Sequence, residues 1–183
     1  MKGYKLLEIS IIGVSIILLV LSFLRILPLR IAKVYILNFF ICLLGWEVWM
    51  TYGIINGDSE HKRGGDNVNP FSNMMMMTAG DGIVAVAQVE ATFKAFGSKA
   101  FKKWNWKAFA LIFAIGIVQN IVVTFILRER LKGANISIAP LMPIKTNALL
   151  QVQEGWIIQP FILYALLIKF HKEILDIETR RIS

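Results

Sequence analysis

The stretch AGDGIVAVAQVEATFKAFG, residues 79–97, decides how the rest of the chain is read. It is apolar enough to cross a bilayer, yet it carries Asp81, Gln88 and Glu90. A carboxylate near a bilayer centre costs about 2.5–3.5 kcal/mol on insertion scales, so it faces a bundle interior, a cavity or a partner. Two other apolar stretches share the feature: Glu47 lies in LLGWEVWMTYG and Glu154 in QVQEGWIIQPFILY. On a 3.6-residue helix Asp81 and Gln88 share a face, whereas Glu90 points roughly the opposite way. Two readings of Glu90 stand side by side, an acid inside a pocket or an i,i+4 pair with Lys94.

Composition points in the same direction. The 183 residues are 56% hydrophobic and 17% charged, with mean hydropathy +0.62, against ~45–50% and ~25% in a typical soluble domain. The net charge is +8. The basic residues gather between apolar runs and interleave with Trp104 and Trp106 in residues 94–107, which reads as topology signal and surface anchoring rather than nucleic-acid binding. Cys42 is the single cysteine, so an intrachain disulfide is excluded, and His61 and His171 lack metal-ligand spacing. No metal and no cofactor is expected.

The pattern predicts an all-α integral membrane protein, a five-span helical bundle. The spans fall at about 6–24, 34–55, 74–93, 108–127 and 149–170. Residues 1–33 form an N-terminal helix with a basic turn, 34–170 a four-helix core with the ligand pocket, and 171–183 a charged, solvated tail. No small-x-small cleavage site follows the first run, so it is expected to be retained. A slight excess of Lys and Arg on one side favours a cytoplasmic C-terminus, which would leave the sequon Asn135-Ile136-Ser137 on the opposite side. The multi-pass protein would sit in the endoplasmic reticulum of a eukaryote or the plasma membrane of a prokaryote.

In the second span Glu47 stands among Trp46, Trp49 and Tyr52, with enough helix beyond it to make reaching the headgroups difficult. In the fourth, Gln119, Asn120 and Thr124 interrupt the apolar run and suit interhelical hydrogen bonding. In the fifth, Gln153, Trp156, Pro160 and Tyr164 form one stripe.

These residues resemble the core of the EXPERA superfamily, which includes the emopamil-binding sterol isomerases and the sigma-2-receptor group. The resemblance covers about residues 34–169. It rests on Gln153, Trp156 and Pro160, on Val89-Glu90-Ala91-Thr92, on Glu47 with Trp49 and Tyr52, and on Gln119. The sequence departs from the isomerases at Leu43, where they have His, and at Gln153, where they have Asn.

The resemblance implies a pocket for a sterol-like or other polycyclic lipid. It also implies an intramolecular isomerase that moves a C=C bond by protonation and deprotonation. Glu47 and Glu90 would be the catalytic acid and base, since a desolvated carboxyl can hold its proton near neutral pH. Trp46, Trp49, Asp81, Gln119, Gln153, Trp156 and Tyr164 would bind substrate. The alternatives are a non-catalytic sterol or lipid binder, which the missing histidine favours, a proton- or ion-coupled transport component, or a membrane terpene cyclase. The expected partners are membrane lipid or a sterol-like ligand, not nucleic acid, and homodimerisation is left open.

Overall fold

The computed structural model describes the backbone of residues 2–55, 70–131 and 148–175, with side chains over 9–45, 75–119 and 158–175. The sequon and residues 176–183 lie outside the described residues.

Every described element is helical: α1 (Lys2–Phe23), α2 (Leu29–Ile55), α3 (Pro70–Phe96), a 3-10 turn (Ser98–Phe101), α4 (Trp106–Leu131), α5 (Ala148–Lys169) and the short α6 (His171–Leu175). Pro28 immediately precedes α2, and Pro70 opens α3, where its missing N–H leaves no bond unmade. The first of these boundaries makes α2 longer than the apolar run suggests, and brings Arg30 and Lys33 onto the helix.

The connections have local causes. Arg25, at φ 59, ends α1 in the left-handed region. Gly97, at φ 66, does the same for α3 and donates its N–H to Phe93 O at 2.8 Å, the glycine stop expected at a helix C-terminus. Asn105 then caps α4: its Oδ1 accepts from the N–H groups of Lys107 at 3.0 Å and Ala108 at 3.3 Å, two donors the helix cannot satisfy internally.

Helices α2 to α5 run up and down in turn, with register fixed by specific pairs. Arg30 meets Glu90 and Asn38 meets Asp81, which makes α2 and α3 antiparallel. Gln88 reaches Ile112 and Gln119 reaches Asp81, setting α3 against α4. Gln159 reaches Asn38 and closes α5 onto α2. The core between them contains Val34, Tyr35, Ala85, Val89, Phe101, Ile112, Leu163, Tyr164 and Leu167. Helix α1 packs on α2 and α3, leaving Ile9, Ile16 and Phe23 exposed on its outer side.

Two expectations are corrected here. Among the described residues no helix is long and apolar enough to cross a membrane. The five-span integral membrane bundle, the multi-pass placement, the endoplasmic reticulum or plasma membrane address and the cytoplasmic C-terminus lose their support with that finding. In α3, Asp81, Gln88 and Glu90 interrupt the apolar run and lower its hydropathy below what a span needs.

The second correction concerns the tail. Residues 171–175 form α6, which packs on α2 and α5 with Leu175 buried and Lys33 Nζ donating to Glu173 O at 2.7 Å.

Candidate functional site

Four helices each bring a polar side chain to one level of the bundle, with Asn38 and Asp81 buried and Gln119 and Gln159 half-buried. From α2 comes Asn38, fully buried. Its Nδ2 donates to the main-chain oxygen of Asp81 at 2.9 Å and lies 3.5 Å from Cys42 Sγ one turn on. From α5, Gln159 Nε2 donates to Asn38 Oδ1 at 2.6 Å. From α4, Gln119 Nε2 approaches Asp81 Oδ1 at 3.4 Å. Asp81 of α3 is at the centre and 9% exposed. Burial pushes the Cys42 thiol well above its ordinary range, and the neighbouring Asp81 charge and hydrogen bond push it further. The thiol therefore stays protonated and donates to the carboxylate. Burying such groups is costly unless they bond one another, and this layer does so across four helices.

A second polar level lies further along α3. Gln88, fully buried, donates from Nε2 to Ile112 O at 2.9 Å, and Thr92 donates to Gln88 O at 2.7 Å. Gly116 makes room for this: a Cβ there would stand 3.1 Å from Gln88 Nε2 and 3.6 Å from Pro160 Cγ.

Glu90 is placed differently from either sequence-based reading. Its carboxylate takes a two-pronged ion pair from Arg30, Nε to Oε1 at 2.7 Å and the second nitrogen to Oε2 at 2.9 Å. The Arg30 guanidinium also lies 4.5 Å from the centre of the Phe93 ring. These groups, with Ala91 and Lys94, line an open depression of about 390 Å³. Both carboxylate oxygens of Glu90 are thus engaged by a permanent cation.

Tyr164 is fully buried. Its hydroxyl donates to Ala100 O at 2.6 Å and accepts from the Asn105 N–H at 3.3 Å. It sits against Phe101 and Trp104. It is a corner post that ties the α3–α4 connection to α5.

Asp81 and Gln119 are therefore brought together, while Glu90 and Tyr164 are placed elsewhere. The side chains of Trp46, Glu47, Trp49, Gln153 and Trp156 lie outside the described residues, but the helical position of residue 47 is informative. It is about 17 residues beyond Arg30 on α2, or about 25 Å along the axis, while Glu90 is level with Arg30. Glu47 and Glu90 therefore sit toward opposite ends of the bundle.

The sequence reading missed Arg30, Asn38 and Gln159. Asn38 had a signal, since it is the lone amide in VYILNFFICLL. Gln159 was overshadowed by Pro160 beside it, and Arg30 was taken for a turn residue. No family model matches this chain, and no curated protein or solved structure is significantly similar to it.

Proposed function

We propose that this protein binds a sterol-like, polycyclic apolar ligand and does not transform it. The reading keeps the EXPERA-like resemblance carried by Gln153, Trp156 and Pro160, and sets aside the isomerase activity that the resemblance implies. The observation that carries it is the antiparallel register of α2 and α3. Moving a double bond needs an acid and a base a few ångströms apart, one on each side of a short allylic unit. Residues 47 and 90 are separated by about 25 Å of helix, and Glu90 is held by Arg30. The polar layer of Asn38, Asp81, Gln119 and Gln159 supports the binding half of the proposal. It offers hydrogen-bonding groups in an otherwise apolar interior, the combination that orients an apolar ligand through one polar substituent.

The test uses a fluorescent conjugated-triene sterol for binding and a Δ8 sterol for turnover. Saturable energy transfer from protein tryptophan to the triene, with the Δ8 sterol recovered unchanged, is the expected result. Absence of saturable transfer removes the binding reading. Conversion to the Δ7 isomer, lost in Glu47→Gln and Glu90→Gln, restores the enzyme.

A further inference from the structure

Helix α1 has two faces that differ in kind. Its inner face packs on α2 and α3 and buries Ser15 and Ser22, whose hydroxyls donate to Ile11 O and Leu18 O one turn back. Its outer face is apolar and open. Ile9, Ile12, Ile16, Ile17, Val20 and Phe23 follow the three- and four-residue spacing of one helix side, and each is between 47% and 68% exposed. Together these six residues present roughly 700 Å², more than the ~300–600 Å² of the largest apolar patch on a typical monomer. That area is close to the ~800 Å² each partner gives to a stable protein interface.

Gly13 lies in the middle of this face, one turn after Ile9 and one turn before Ile16 and Ile17. A Cβ there would meet nothing within 4 Å among the described residues, so packing within the chain does not call for glycine. In a helix interior glycine costs about 1 kcal/mol relative to alanine. What the missing side chain provides is a point where another helix backbone can approach closely.

Charge selects the occupant. The chain carries a net charge of +8, so two copies repel unless they meet on a face without lysine or arginine. A two-fold contact sets a patch against itself, and any charge in it would oppose its own copy. Residues 9–24, between Glu8 and Arg25, contain no Asp, Glu, Lys or Arg. A helix that lies on a lipid surface instead carries basic residues along its opposite, solvated face. On α1 the opposite face is closed by α2 and α3.

We propose that the outer face of α1 is a homodimer interface, packed around Gly13 against the same face of a second copy. The proposal does not depend on the sterol-binding reading.

The experiment is light-scattering mass measurement on the purified full chain in detergent-free buffer. The expected mass is twice the 20.7 kDa of one chain. Ile16→Glu, a change at an exposed position, gives the mass of one chain with the helical circular dichroism unchanged. Cross-linking supplies a second reading that does not rely on Ile16→Glu. In a Cys42→Ser background, Gly13→Cys oxidises to a covalent dimer at least tenfold faster than Ala95→Cys, exposed on α3, because a disulfide needs Cα atoms within about 7 Å. A wild-type mass of one chain at micromolar concentration overturns the proposal, as do a dimer that persists in Ile16→Glu and equal cross-linking at the two positions. A monomer that binds phosphatidylcholine vesicles, with binding lost in Ile16→Glu, also overturns it and gives the face to lipid.

Discussion

Asp81 and Glu90 lie on one helix and share a chemistry, yet their surroundings make them different residues. Glu90 meets a guanidinium at the bundle edge, and the two side chains remain 22% and 32% exposed for Arg30 and Glu90. Asp81 lies inside, approached by the Gln119 amide and the Cys42 thiol. The second arrangement leads to a pH prediction. Burial first, and then Asp81, raise the Cys42 thiol above its ordinary value of 9.0. Burial likewise raises the Tyr35 and Tyr164 hydroxyls above 10.0. A raised acid holds its proton better in the folded state, so its stabilisation is complete below the unfolded pKa and is lost as pH rises above it. Wild-type Tm should therefore begin to fall above about pH 9, by roughly 3–6 °C per pH unit. Cys42→Ser should hold level until about pH 10, where the tyrosines begin to act. Parallel profiles for the two proteins contradict the assignment. The sequence marked Asp81 and Gln119 as site residues because each interrupts an apolar run. It could not assign their partners, because Asn38 and Gln159 come from helices whose register only the packed bundle fixes.

At the scale of elements, the positions of the helices were legible and their environment was not. The runs expected at 34–55 and 74–93 fall inside α2 and α3, which begin about four to five residues earlier, just after Pro28 and at Pro70, because proline starts a helix for local reasons. Bilayer crossing was inferred from the same runs, and among the described residues it finds no support. Hydropathy averaged over a stretch does not separate a helix surrounded by lipid from one buried among other helices. The contact between α2 and α3 also turns on a detail invisible to hydropathy. At Gly82 a methyl group would meet Tyr35 Cε2 at 2.7 Å and Cδ2 at 2.9 Å, whereas at Gly80, among the described residues, it would meet only Ile11 Cδ1 at 3.7 Å. Alanine in a helix is favoured over glycine by about 1 kcal/mol, and overpacking costs about 1–3 kcal/mol. Gly80→Ala should therefore be neutral or stabilising by up to about 1 kcal/mol, and Gly82→Ala destabilising by about 1 kcal/mol, as read from urea midpoints. Equal effects at the two positions would show that α2 and α3 do not touch in this way.

For the whole molecule, the four-helix arrangement determines which residues can act together. The sequence grouped Glu47 and Glu90 because both are acids in apolar runs and both fall in stretches that resemble motifs of one family. Alternating helix direction places them far apart, and no periodicity within one helix contains that information. The most direct test of this account is the distance between spin labels at positions 47 and 90, introduced as Glu47→Cys and Glu90→Cys in a Cys42→Ser background, measured by pulsed electron resonance. The antiparallel register with Arg30 opposite Glu90 predicts a single distribution centred at about 25 Å or more. A distance near 10 Å, close enough for both groups to face one substrate, would contradict the register and return the pair to a shared site.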